Sequence, residues 1–201
     1  KQWEKIAAVV ENFQRTEMRQ RQSLISPVGA VRGLALGGSC EFILHADRTV
    51  AALESYIGLV EVGVGLLPAG GGCKEFAVRA AEEVRRGANG SQIDQLPFIR
   101  TYFQTIAMAT VAKSALEAKE LGYLKPSDVV VMNAYELLHV AIGEARALAD
   151  AGYRPPLPAR QRAAVTLFHF EGLSGRECAL VLGLGEKAFE SLLIRARTAL
   201  K

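Results

Sequence analysis

The sequence predicts an α/β, helix-rich first part followed by a small all-α helix-turn-helix. Three observations carry this. Two glutamates, Glu41 and Glu61, stand on glycine-rich turns, flanked by short Val/Ala-rich runs and longer amphipathic stretches. The run Pro155-Pro156-Leu157-Pro158 forbids a continuous helix and marks a boundary. Beyond it come three short helical patterns separated by glycine turns. The chain therefore divides into residues 1–155 and 156–201.

Taken in order, Trp3, Ile6, Val9, Val10 and Phe13 have helical spacing, which predicts a helix to about residue 23. Pro27 to Ala35 reads as one buried strand and Cys40–Ala46 as a short helix. Val50–Leu53 reads as a second strand. From there to Gly72 the glycines predict loop and turn only. Cys73–Arg86 is an amphipathic helix, Ala88-Asn89-Gly90-Ser91 a loop, and Leu96–Leu121 one helix capped by Gly122. Val129–Val131 is a strand, and a helix runs from Asn133 or Ala134 to Ala151.

With 201 residues and 50% hydrophobic content the chain can bury a substantial core. No apolar run is long enough to span a membrane. The polar opening Lys1-Gln2-Trp3-Glu4-Lys5 is no signal peptide, and the missing initiator Met predicts a processed chain or a fragment. Cys40, Cys73 and Cys178 lack metal-ligand spacing and read as reduced thiols in a cytoplasmic protein, with no metal. From Pro156 onward seven basic residues face four acidic ones, so the tail carries the whole net charge of +3. That asymmetry suits a polyanion partner, and equally a solvated helical face. His45, His139 and His169 read as packing or surface residues rather than ligands, and Met18, Met108 and Met132 as core or surface.

Glu41 and Glu61 carry the chemistry. Adding water across a conjugated thioester needs a base for the water and an acid for the carbon that receives the proton, and two carboxylates near one water do both. The developing enolate oxygen needs fixed N–H donors, which Gly38 at a helix N-terminus supplies. The run Gly33-Leu34-Ala35-Leu36-Gly37-Gly38-Ser39-Cys40-Glu41, then Asp47, then Glu61-Val62-Gly63-Val64-Gly65-Leu66-Leu67-Pro68-Ala69-Gly70-Gly71, resembles the crotonase (enoyl-CoA hydratase/isomerase) superfamily. Ala118-Lys119-Glu120-Leu121-Gly122-Tyr123-Leu124 matches a later family segment. The stretch around 96–118 and Asn133-Ala134-Tyr135-Glu136 looks closest to the hydratase part of multifunctional 3-hydroxyacyl-CoA dehydrogenases of β-oxidation.

The resemblance covers residues 1–158. It implies a partial crotonase-like fold, Glu41 and Glu61 as acid–base carboxylates, Gly38 as an oxyanion-hole donor, and a CoA thioester as substrate with no covalent cofactor and no metal. It also implies that the family's other oxyanion donor and much of its CoA wall lie before the first residue. The expectations are negligible hydratase activity, exposed strand edges, and marginal folding or oligomerisation. Ser39 and Ala69 stand where the family has glycines, which predicts tolerated crowding at Ser39 and disturbed packing at Ala69.

In the tail, Ala159–Glu171 reads as a helix ended by Gly172. Ser174 and Glu177 form a capping-box pattern for a second helix to Leu182, and Gly183-Leu184-Gly185 is the turn. A third helix from Glu186 carries Phe189, Leu193, Ala196 and Leu200 in one stripe, with Lys187, Glu190, Ser191, Arg195 and Arg197 elsewhere. Such a unit fits the major groove, with these five residues and Arg176 toward DNA. Leu157–Val165, Glu171–Ser174, Glu177–Ala179 and Arg195–Leu200 resemble region 4 of extracytoplasmic-function RNA polymerase sigma factors. That resemblance implies duplex DNA and RNA polymerase as partners. Gly185 replaces the usual Ser or Thr cap and Leu192 a common arginine. The readings open at this point are an enzyme fragment joined to a promoter-binding module, a sigma-like DNA-binding protein with a passive first part, and an artefactual chimera.

Overall fold

A computed structural model describes residues 2–87 and 94–200, and the loop expected at 88–91 lies outside the described residues. The chain forms two compact units, Lys1–Arg154 and Pro155–Lys201.

In the first unit α1 (Gln2–Arg21) precedes β1 (Val28–Val31) and β2 (Leu34–Leu36). The run read as one strand is two, because the chain turns at Arg32-Gly33 and passes from one sheet to the other. α2 (Gly38–Leu44), β3 (Arg48–Ala52) and β4 (Tyr56–Gly58) follow, then a 3-10 turn at Glu61–Val64. The glycine-rich stretch thus contains a strand and a helical turn, not loop alone. α3 (Gly72–Gly87), α4 (Leu96–Ala107), β5 (Val111–Ala112), α5 (Ala115–Glu120), β6 (Val129–Val131) and α6 (Leu137–Asp150) complete the unit.

One sheet is parallel in the order β1-β3-β6, pairing Ala30 with Val50 and Val50 with Val129. Its central strand buries Val50, Ala51 and Ala52 in succession, as a parallel strand covered on both faces requires. The other sheet runs β2-β4-β5, with β2 parallel and β5 antiparallel to β4. Among the described residues β1 and β6 of one sheet and β2 and β5 of the other each keep one unpaired edge. Asp128 ties the segment before β6 to β3: its carboxylate accepts Thr49 N–H at 2.8 Å and Lys125 N–H at 2.6 Å.

Two expectations change. The helix expected over 96–121 breaks at Met108–Thr110, where the Tyr123 hydroxyl donates to Thr110 O at 2.6 Å and the chain pairs with β4. Ser114 then caps a new helix by accepting Glu117 N–H at 3.1 Å. α6 starts at Leu137 because Asn133 Oδ1 accepts Tyr135 N–H and makes a turn first. Along α1, Trp3 and Val9 are exposed, Phe13 is half-buried, and the buried residue is Glu17.

The second unit has α7 (Ala159–Val165), a π turn at Thr166–Phe170, α8 (Gly175–Val181) and α9 (Glu186–Leu200). The helix expected to Glu171 ends as this wider turn, with Glu171 N–H bonded to Thr166 O. Ala164, Cys178, Ala179, Phe189, Leu192 and Leu193 form the core.

Candidate active site and nucleic-acid interface

Gly37 and Gly38 connect β2 to α2. Gly37 has φ +58°, a conformation that favours glycine, and a Cβ there would lie 3.3 Å from Glu61 Oε1. Gly38 opens α2, so its N–H has no acceptor within the helix. Glu41 follows in the first turn and is almost wholly buried. Its Oε1 accepts the N–H groups of Gly71 and Gly72, each at 2.9 Å. Gly72 begins α3, so the carboxylate sits where the helix dipole favours negative charge.

Glu61 is placed by β4. Leu59 N–H donates to the Tyr123 hydroxyl at 3.3 Å, and the strand end turns directly into the Glu61–Val64 helical turn. Glu61 Oε2 is buried without a hydrogen-bond partner among the described residues. Burial first, and the Glu41 charge second among the raising effects, push the Glu61 carboxyl above the usual carboxylate range. The structure therefore brings the two predicted glutamates into one electrostatic environment, with Gly37 between the β2 end and Glu61.

The disturbed packing expected at Ala69 does not arise, because the residue is exposed and its carbonyl accepts a hydrogen bond from Gln14 Nε2 at 2.6 Å. Ser39 is exposed as well. The tight approach falls one residue later: a Cβ on Gly70 would lie 2.6 Å from Glu41 Oε2 and closer still to the Phe13 ring. Phe13 also borders Gly38, so α1 forms one wall of the site. A pocket of about 380 Å³ opens beside it, lined by Gln14, Met18, Pro68, Gly70, Cys73 and Lys74 among others. A second, apolar pocket of about 220 Å³ lies between α3 and α4, where Leu67, Phe76, Ile99, Phe103 and Ile106 surround the other side of Cys73.

Sequence reasoning missed a buried ionic cluster behind Glu41. His45 is buried, not a plain packing residue: its Nδ1 lies 2.8 Å from Glu41 O, and Lys74 Nζ lies 2.8 Å from its Nε2. Only a neutral ring with its proton on Nδ1 satisfies both contacts, and burial keeps His45 below the usual imidazole range. Glu75 is paired with Arg21 and lies 2.9 Å from Lys74 Nζ. The detectable signal was a lone acid, Glu17, one helical turn after Phe13 on the same face.

In the second unit Ser174 and Glu177 make the expected capping box. Lys187, Glu190, Ser191 and Arg195 are exposed on α9, and Arg176 is exposed on α8 with its Nε 3.8 Å from Glu186. Arg195 Nε donates to Ser191 O at 3.2 Å. Arg197 is engaged within the unit: its guanidinium donates to His169 Nε2 at 3.1–3.2 Å and lies 5.4 Å from the Phe168 ring centroid. Leu192 is buried in the core, so that position faces inward. Among the described residues no cluster of three or more His, Cys, Asp or Glu could hold a metal, and no helix is long and apolar enough to cross a membrane. The three cysteines are free thiols.

Residues 157–200 match the family model described as Sigma-70, region 4. The chain is similar over 149 residues, at 43% identity, to a probable 3-hydroxyacyl-CoA dehydrogenase of Bacillus subtilis; this covers 74% of the chain and 18% of that protein. It is 40% identical over 77 residues to the fatty acid oxidation complex subunit alpha of Idiomarina loihiensis, covering 36% of the chain and 11% of that protein. The chain thus spans under a fifth of these relatives. Among solved structures, the enoyl-CoA hydratase of Bacillus anthracis superposes with a TM-score of 0.55 at 22% identity, covering 98% of this chain and 62% of that one. That of Polaromonas sp. gives 0.54 at 20% identity, covering 95% and 62%. These structural likenesses establish the fold. The chain joins a partial crotonase-type fold, similar in sequence to proteins of fatty-acid oxidation, to a segment that matches sigma-70 region 4.

Proposed function

We propose that the first unit binds the thioester of a 2-enoyl-CoA and carries the acid–base pair for its hydration. The burial of Glu41 on the Gly71 and Gly72 amides, near enough for its charge to raise the Glu61 carboxyl that faces Gly37, carries this reading. Glu41, held by two amide N–H donors, takes a proton from water as the oxygen bonds to the β-carbon. Glu61, whose carboxyl is raised by burial and by the Glu41 charge, delivers a proton to the α-carbon. The two electrons of the C=C bond form the new C–H bond through an enolate whose oxygen accepts the Gly38 N–H. The product is the 3-hydroxyacyl thioester, and solvent restores both carboxyl groups. The apolar pocket beside Cys73 suits an acyl tail.

With Gly38 as the one oxyanion donor this reading assigns, turnover by this chain alone is expected to be negligible even where the thioester binds. Calorimetric titration with crotonyl-CoA, followed by an ultraviolet assay for loss of the enoyl thioester, tests both parts. Binding weakened by Glu61→Ala with turnover near the uncatalysed rate supports the proposal. Absence of binding sinks the thioester reading, and turnover dependent on Glu41 sinks the expectation of inactivity.

A second reading rests on a separate observation, the exposed α9 face bearing Lys187, Ser191 and Arg195. The second unit would bind duplex DNA through α9, with RNA polymerase as a further partner. Salt-sensitive binding of the full chain to duplex DNA tests it.

A further inference from the structure

Glu17 has no place in the reaction above, yet it is the most deeply buried residue of α1, with no exposed surface. Both of its side-chain oxygens lack a hydrogen-bond partner among the described residues. A charged carboxylate in that position would be costly, whereas the neutral acid is tolerable. The groups facing it come from three elements. From α2, His45 Nδ1 lies 3.8 Å away and Glu41 contributes a like charge. From α3 come Lys74, engaged by His45 and Glu75, and Glu75 itself. On α1, Arg21 is committed to Glu75.

The connection to Glu41 is short. A Cβ on Gly71 would lie 3.2 Å from Glu17 Oε2 and 2.6 Å from His45 Cε1, so both side chains fill the space beside this glycine and face the turn. That turn supplies the N–H that holds Glu41 Oε1, and His45 holds the Glu41 carbonyl. We propose that Glu17, in its neutral form, is a positioning residue for Glu41 that acts through His45 and the Gly71 turn, and that loss of its proton loosens the turn and weakens thioester binding. The binding part rests on the thioester reading of the first unit; the coupling to the turn does not.

Burial, then the Glu41 charge, push the Glu17 carboxyl up to about 8. If only the protonated form is competent, affinity one unit above that midpoint falls about tenfold. The probe is crotonyl-CoA, titrated calorimetrically against the intact chain and against Glu17→Gln from pH 6.5 to 9. In parallel, the amide signals of Gly71 and Gly72 are followed by NMR without ligand. The expected result is an affinity loss of about tenfold at pH 9 in the wild type, flattened in E17Q, with the two amides titrating near pH 8 only in the wild type. Equal affinity loss in E17Q, or amides that titrate identically in both chains, overturns the proposal.

Absence of crotonyl-CoA binding at every pH removes the thioester reading alone, and the amide titration still decides whether Glu17 acts on the turn. If E17Q does not fold, Glu17→Met replaces it as the variant without a proton to lose. If neither variant folds, wild-type Gly71 and Gly72 amides that do not titrate between pH 6.5 and 9 overturn the proposal. In that case amides that titrate together with a directly observed Glu17 carboxyl carbon support it.

Discussion

Glu41 and Gly70 leave no room for a side chain between them: a Cβ on Gly70 would stand 2.6 Å from Glu41 Oε2. The Phe13 ring closes the same space from α1, and the Gly71 and Gly72 amides fix the other carboxylate oxygen. Gly70→Ala is therefore expected to shift the turn and destabilise the full chain by about 1–3 kcal/mol. Ala69→Gly, one residue earlier at an exposed methyl, should change stability by about 1 kcal/mol or less. Thermal melts of the two variants check the contrast, and equal shifts in Tm would refute it.

The buried cluster predicts a stability profile with two opposing limbs. The Glu17 carboxyl, raised to about 8, contributes stability that is complete below the ordinary carboxylate range and lost as pH rises toward 8. His45, lowered by burial, contributes stability present above the ordinary imidazole range and lost as pH falls through its depressed value. Thermal melts from pH 5 to 9 should show Glu17→Gln removing the alkaline loss and leaving the acid loss. A wild type whose Tm does not fall between pH 6.5 and 8.5 would contradict this.

The glycine turn ahead of α2 was legible because the positive φ at Gly37 favours glycine. The α1 face was not. The apolar spacing ran from Trp3 to Phe13, yet Trp3, Ile6 and Val9 are exposed while Phe13 reaches the site together with Glu17. Periodicity identifies a stripe, but tertiary packing decides how far along a helix that stripe stays buried. β5, at two residues, is too short for any period to register. The Ser114–Glu117 cap was readable and would have divided the helix expected over 96–121. The His45–Lys74 contact joins residues 29 apart, and no local pattern encodes it.

In the second unit the Ser174–Glu177 box satisfies the first turn of α8, with Ser174 N–H donating to Glu177 Oε2 at 2.8 Å. Ser174→Ala removes the hydroxyl that accepts Glu177 N–H and should cost about 1 kcal/mol. Chemical denaturation, read from a probe placed in residues 155–201, measures the loss. A change below about 0.3 kcal/mol would mean that solvent replaces the cap fully.

Lys187 and Arg197 both lie on α9, yet they should behave differently. Lys187 is exposed, so Lys187→Ala is expected to leave stability unchanged, weaken binding to all duplex sequences alike, and reduce the salt dependence by about one counterion. Arg197 is tied to His169 and lies over Phe168, so its removal takes away a contact within the unit as well as a positive charge. Arg197→Ala should therefore lower the unfolding midpoint in addition to weakening DNA binding, while Arg197→Lys restores charge without the ring contact. Binding isotherms at several salt concentrations, paired with melts of the same proteins, separate the two roles. If Arg197→Ala alters only the salt slope and leaves the midpoint in place, the His169 and Phe168 contacts contribute nothing to stability, and Arg197 is a phosphate contact like Lys187.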